Sequence, residues 1–271
     1  MDQAFFTLDG LRFRYLEWGK PSAEPIVLLH GFSSTAAAWA GVGEALAGDY
    51  HVVALDQRGH GETEWDPEER YTDNQYAADA RALVQRLSLG QFTLVGHSMG
   101  GSIAFTYAAS YPNDLKRLVI EDSAPMPPGR MPADPPSSFA SRAEVEMYVR
   151  TSTPNLPDNA VPQRVDLYYR ERPDGTWGYR ADVVGVRKAR RGQSSDAAWN
   201  NVRNVQCPTL VIRAGAEPPL VSPETAERLT RENPRIEVVT VADAGHNIHF
   251  AHFDEFMPIL RQFLAQPVPV A

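Results

Sequence analysis

Ser98 is the residue in this chain whose setting most directly invites chemistry. It lies in Gly96-His97-Ser98-Met99-Gly100-Gly101, between an apolar run (Phe92, Leu94, Val95) that reads as a buried strand and Ile103 to Ala109, which reads as a helix. A strand can turn into a helix within so few residues only if the apex residue takes a strained backbone and its neighbours are small. Gly96 and Gly100 supply that room, so the hydroxyl stands out of the sheet. The helix starts right after Ser98, and its first free N–H groups, from Met99 on, face whatever bonds to that oxygen and would stabilise negative charge there. The pattern alone also describes an ordinary turn at a helix start, and the strand-turn-helix context is what favours chemistry.

A serine hydroxyl is a poor nucleophile at neutral pH and needs a base within hydrogen-bond reach, itself oriented by an acid. His246 is the best-placed base, because it follows the last strand and Gly245 and comes after Ser98 in chain order. His97 neighbours the serine, but the elbow turns its side chain away, and His30 and His60 read as braces of their loops.

These residues need elements to carry them. Ala4 to Thr7 and Leu11 to Trp18 flank Asp9-Gly10, the signature of a tight hairpin, and the alternation of Leu11, Phe13 and Tyr15 with Arg12 and Arg14 marks an antiparallel edge. Ile26-Val27-Leu28-Leu29 is unbroken apolar sequence, as in a parallel strand covered on both faces. It leads to His30-Gly31-Phe32, and His51 to Leu55 leads to Asp56-Gln57-Arg58-Gly59-His60-Gly61, a polar loop expected at the surface. A helix follows from Tyr71 to Leu89, and after the Ser98 elbow comes a strand, Leu115 to Ile120, ending at Glu121-Asp122. This alternation predicts a doubly wound α/β sheet, in which ligands bind outside the carboxyl ends of the strands. Ser98, His30 to Phe32 and Asp122 all fall at such ends.

The alternation stops at Ser123, where Pro125, Pro127, Pro128, Pro132, Pro135 and Pro136 exclude sheet and helix alike. Helix-like pieces with Met147, Tyr148, Tyr168, Tyr169, Trp177 and Trp199 follow, and strands return at Pro208 to Arg213 and Ile236 to Val241, with a closing helix from about Asp254 to Leu264. Residues 1–122 and 205–271 are therefore expected to form the core and 123–204 a helical cap folded over the strand ends. The cap holds 12 Lys and Arg against 9 Asp and Glu. That balance suits either solvated helix faces or a mouth for an anionic substrate, and the cap aromatics suit either the cap's own core or a substrate wall.

Composition bounds the function. The 271 residues can bury a large core, and a net charge of -8 argues against nucleic acid or an anionic membrane as partner. No secretory pattern or bilayer-length apolar run is visible, which predicts a cytoplasmic location. Cys207 is the single cysteine, so neither an internal disulfide nor a thiolate metal cluster is expected. His246, His249 and His252 step by three, but the sequence around them reads as a loop and no metal site is expected. Oligomeric state, monomer or dimer, stays open.

Taken together, Gly96-His97-Ser98-Met99-Gly100-Gly101, His30-Gly31-Phe32, Asp56-Gln57-Arg58-Gly59-His60-Gly61 and Gly245-His246 resemble the α/β-hydrolase superfamily, in the right order and over nearly the whole chain outside the cap. The resemblance implies a mostly parallel sheet with a cap and no cofactor. It also implies Ser98 as nucleophile, His246 as base, the backbone N–H groups of Phe32 and Met99 as oxyanion hole, and His30 holding the Phe32 loop. The acid departs from the usual pattern. Most relatives carry an Asp in the loop after the penultimate strand, which here reads Ala214-Gly215-Ala216-Glu217-Pro218-Pro219-Leu220. Asp122, at the end of the strand after the nucleophile helix, is preferred to Glu217. Some superfamily members, including hydrolases of amide-bearing succinate derivatives and certain lactonases, take their acid from that place.

The implied activity is acyl transfer to and from Ser98 on a small-molecule ester or lactone, an EC 3.1.1 type of reaction, with an amide or a C–C bond beside a carbonyl as further options. Cofactor-free perhydrolase or haloperoxidase chemistry, or a slow-turnover small-molecule receptor, could use the same residues.

Overall fold

The computed structural model describes residues 1–125, 135–153, 156–191, 194–216 and 219–267. The chain opens with β1 (Asp2–Leu8) and β2 (Leu11–Trp18), joined through Asp9 and Gly10 at φ 49° and 81°. Both turn residues occupy the left-handed region, as an Asp-Gly hairpin requires. Then follow β3 (Glu24–Leu29), α1 (Ala40–Leu46), β4 (Tyr50–Leu55), α2 (Asp73–Arg86), β5 (Phe92–His97), α3 (Met99–Ser110) and β6 (Leu115–Glu121). The intervening segment holds α4 (Arg142–Ser152), α5 (Val161–Tyr168), β7 (Tyr169–Glu171), β8 (Trp177–Tyr179), α6 (Val183–Arg190) and α7 (Ser195–Asn204). The chain ends with β9 (Thr209–Ala214), α8 (Pro223–Glu232), β10 (Ile236–Val241), α9 (Ile248–Ala251) and α10 (Phe253–Leu264).

Eight strands form one sheet in the order β1-β2-β4-β3-β5-β6-β9-β10. β1, β2 and β4 pair antiparallel and every other neighbour pairs parallel. The period-two alternation of strands explains the unbroken apolar run in β3. Ile26 and Leu28 face a core shared with Trp39, Val42, Phe256 and Leu260, while Val27 and Leu29 face one shared with Leu83, Ile103 and Ala104. Two helix starts show side-chain capping: Thr72 Oγ1 accepts the Gln75 N–H before α2, and Ser222 Oγ accepts the Thr225 N–H before α8, with Pro223 as first helical residue.

The expectation that Asp56 to Gly61 lies at the surface is corrected. Asp56, Gln57, Arg58 and His60 are each 1% exposed or less. Arg58 is clamped by Asp79 through Nε (2.8 Å) and Nη2 (2.7 Å) and by Asp66 through Nη1 (2.6 Å). Asp56 accepts from Arg14 Nε and from the Ala36 and Glu62 N–H groups. Polar sequence marks surface only where the groups lack internal partners, and here Asp56 and Arg58 have them, while Gln57 Oε1 and His60 Nε2 are buried without one.

The intervening segment has its own core of Phe139, Val145, Val149, Val161, Val165, Tyr168, Tyr169 and Tyr179. It also contains the β7–β8 hairpin, which the helix-like sequence pattern does not separate out; Pro173-Asp174-Gly175 turns it, with Gly175 at φ 80°. Trp199 and Val202 of α7 pack instead with α3 in the core on the sheet. Near α6 the segment is tied to the loop before α2. The Asp182 N–H donates to Gly59 C=O (2.8 Å), Tyr71 Oη–H to Asp182 (3.1 Å) and Arg180 to Glu62 (2.7 Å), and Arg190 pairs with Asp73.

Removing one partner of a buried ion pair leaves the other charge uncompensated, at a cost of roughly 3–5 kcal/mol. Asp79→Ala is therefore expected to lower the unfolding free energy by about that amount in urea titrations. A loss under about 1 kcal/mol would show that Asp66 alone satisfies Arg58.

Candidate active site

Ser98 sits at φ 54°, ψ −114°, between the last residue of β5 and the first of α3. For a residue other than glycine such a backbone costs on the order of 1–3 kcal/mol and survives only where its surroundings enforce it. They do so here. The Ser98 N–H donates to Glu121 C=O (3.0 Å), and its own C=O accepts from Gly101 N–H (3.0 Å) and Ser102 N–H (3.2 Å). The glycines are needed for space: a Cβ on Gly100 would lie 2.2 Å from the Leu29 carbonyl oxygen, and one on Gly96 would lie 2.3 Å from the Gly100 oxygen.

Asp122 directly follows β6 with a positive φ of 42°, and its side chain is fully buried. Its N–H donates to Ile212 C=O (2.8 Å), Oδ1 accepts the Ala214 N–H (3.1 Å), and Oδ2 accepts Nδ1–H of His246 (2.7 Å). With Nδ1 protonated toward the carboxylate, His246 Nε2 carries the lone pair and accepts Oγ–H of Ser98 at 2.8 Å. The imidazole is 39% exposed, so its outer side is open while its acid partner is dry.

His30 shapes the loop after β3. Its Nδ1–H donates to Gly31 C=O (2.8 Å) and its Nε2 accepts the Gln57 N–H (3.1 Å), while the Gln57 amide donates to His30 C=O (2.7 Å). Full burial pushes its pKa down to about 4, which keeps the ring neutral and able to do both. Phe32 follows in this loop, with the Arg187 guanidinium of α6 5.3 Å from its ring. At the other side, Gly101 and Ser102 return their N–H groups to Ser98, and the Met99 N–H, one position after Ser98, opens the helix with no helical carbonyl behind it.

His97 is turned away from Ser98, and its Nε2–H donates to the His246 carbonyl (2.8 Å). His60 donates Nδ1–H to Arg58 C=O (2.9 Å). Glu217 lies outside the described residues. Glu121, fully buried, meets His249 at 2.7 Å, a pair the sequence reading does not single out; its one sign is an acidic side chain directly after the apolar run Leu118-Val119-Ile120. The three histidines spaced by three go separate ways, His246 to Asp122, His249 to Glu121 and His252 to Glu255. Among the described residues no group of three or more His, Cys, Asp or Glu is arranged to hold a metal ion, and no helix is long and apolar enough to cross a membrane. Several basic residues of the segment between β6 and β9 are paired with acids: Arg142 with Asp166 and Glu146, Arg150 with Asp158, Lys188 with Glu69 and Arg190 with Asp73.

Ser98, His246 and Asp122 thus stand in one hydrogen-bonded row at the carboxyl edge of a doubly wound sheet. The chain belongs to the alpha/beta hydrolase fold family, whose family model matches residues 24–253. It is 31% identical to 2-(acetamidomethylene)succinate hydrolase of Mesorhizobium japonicum over 85% of this chain and 84% of that one. It is 30% identical to the 3-hydroxybutyrate-oligomer hydrolase of Cupriavidus necator over 87% of each. The crystal structure of an E-2-(acetamidomethylene)succinate hydrolase superposes with a TM-score of 0.83 at 26% identity, covering 98% of this chain and 99% of that one. These relatives are enzymes of hydrolysis, and the family supports the same for this chain.

Burial lowers the pKa of His30 to about 4 and of His60 and His97 to about 3, whereas in the unfolded chain all three titrate near the ordinary imidazole value. Between about pH 6.5 and pH 4 the unfolded state thus binds more protons, so stability is full above that window and falls as pH drops through it. Each such imidazole adds on the order of 1.4 kcal/mol per pH unit to the slope. Urea unfolding at pH 7 and pH 5 is expected to show a steep loss of stability; equal stabilities would mean these rings are protonated in the folded protein.

Proposed function

We propose that this chain is a serine hydrolase that cleaves a carboxylic ester or lactone of a small molecule, an EC 3.1.1 reaction, through Ser98, His246 and Asp122. The observation that carries the reading is the unbroken hydrogen-bonded chain Ser98 Oγ, His246 Nε2, His246 Nδ1, Asp122 Oδ2, at 2.8 and 2.7 Å. His246 takes the Ser98 proton as Oγ attacks the substrate carbonyl carbon. The Phe32 and Met99 N–H groups hold the oxyanion, and Asp122 holds the tautomer and stabilises the imidazolium. The C–O bond breaks, the alcohol leaves with the proton from His246, and water activated by the same ring releases the acid. Residues 1–122 and 205–271 supply this machinery. Residues 123–204 act as the cap that shapes the substrate pocket, with α7 anchoring it on α3. We place the enzyme in the cytoplasm.

A second reading, hydrolysis of an amide of a succinate-like acid, is favoured by the 31% identity to 2-(acetamidomethylene)succinate hydrolase. The steps are the same, with the C–N bond breaking and the imidazolium protonating the departing nitrogen. A panel of short-chain esters, lactones and enamide succinates separates the two readings by kcat/KM.

Ser98→Ala is expected to reduce kcat/KM for a short-chain p-nitrophenyl ester by at least about 10³-fold. Undiminished turnover would sink the hydrolase mechanism. Asp122→Asn should cost about 10³- to 10⁴-fold and Glu217→Gln less than about threefold; the reverse order would move the acid role to Glu217.

A further inference from the structure

The residues immediately before Ser98 and Asp122 both hold the segment that carries His246. His97 donates Nε2–H to the His246 carbonyl at 2.8 Å, and the two rings lie 4.7 Å apart. Glu121 accepts the His249 backbone N–H (3.0 Å) and its Nδ1–H (2.7 Å). The His249 ring in turn stacks on Trp39 at 4.1 Å. Upstream, the buried Ala244 is fixed by its carbonyl, which accepts the Ala216 N–H (3.0 Å), and Gly245 then leads to His246 as an open joint, where a Cβ would meet nothing within 4 Å. On its other side the His97 ring abuts Gly31, where a Cβ would come within 2.7 Å of Nδ1. One imidazole therefore fills the space between the loop bearing Phe32 and the loop bearing His246, directly behind Ser98.

We propose that His97 is a positioning residue for the base, fixing the His246 peptide through its Nε2–H and so aiming the His246 ring at Ser98, with the Glu121–His249 pair as the second anchor. The proposal rests on the hydrolytic reading above. The carbonyl of His246 needs a donor that does not carry charge, because a cation 4.7 Å from His246 would oppose the imidazolium that forms during turnover. Burial supplies this by pushing the His97 pKa down to about 3, while Glu121 is held below its usual carboxylate range: burial alone would raise its pKa, but His249, through its ring and its hydrogen bonds, outweighs that. Aim matters because a displacement of about 1 Å at a reacting pair can cost on the order of 100-fold in rate.

His97→Gln and His97→Met test this, since the two replacements have similar shape and only the amide can donate to the His246 carbonyl. The measurements are kcat and KM for a p-nitrophenyl ester, the rate of covalent labelling of Ser98 by a fluorophosphonate, and the thermal midpoint. His97→Met is expected to lose about 30- to 100-fold in kcat and in labelling rate with KM changed less than about threefold, and His97→Gln to stay within about fivefold of the parent. Equal rates for Met and Gln, or labelling of the Met variant at the parent rate, would overturn the proposal. So would failure of both to fold, which makes His97 a residue of the core alone. If the parent protein is itself neither labelled nor active, the failure is that of the hydrolytic reading and not of His97.

Discussion

An imidazole that is hydrogen-bonded at both nitrogens has one tautomer and very nearly one position, and this constraint organises the rest of the molecule. Its two partners come from neighbouring parallel strands in register. His97 pairs with Glu121 across β5 and β6, so the next residues, Ser98 and Asp122, stand at the same level at the sheet's carboxyl edge. Both leave their strands with a positive φ, 54° and 42°, which no ordinary continuation of a strand would give. The ring that joins them arrives from beyond β10, the far edge strand of the sheet.

Much of this was legible in the residues. The glycines around Ser98 announce a strand-to-helix turn because nothing larger fits, and the unbroken apolar run of β3 announces a strand covered on both faces. The hairpin at Asp9-Gly10 follows from backbone preference alone. What escaped was set by contacts distant in sequence. Asp56 to Gly61 reads as surface because its partners Arg14, Asp66 and Asp79 are scattered along the chain. Glu121 and His249 are 128 residues apart, and neither has a local pattern to mark it.

Buried polarity is a theme of the whole site. Arg58 with its two aspartates and Glu121 with His249 are dry groups whose charges are paired, and His30 is bonded at both ring nitrogens, to Gly31 and Gln57. Such arrangements add little net stability compared with apolar packing, but they tolerate only one geometry, since any slip leaves a desolvated group unpaired. Placed behind Phe32 and beneath His246, they convert a general requirement for polar satisfaction into fixed positions for loops that are otherwise short and irregular.

The origin of the carboxylate explains the unusual loop after β9. Asp122 comes from β6, yet its Oδ1 accepts the N–H of Ala214, the last residue of β9, so the carboxylate reaches across to the end of the adjacent strand. The corner between β6 and β9 thus holds a dry carboxylate with both oxygens engaged, one by the Ala214 backbone and one by His246. On the proposed role of Asp122 as the acid, the sequence after Ala216 need not supply one and can carry Pro218 and Pro219, neither of which could orient an imidazole. A second ionised carboxylate brought beside this dry one would meet like charge without water to screen it, so a single acid at this corner is the arrangement electrostatics favours.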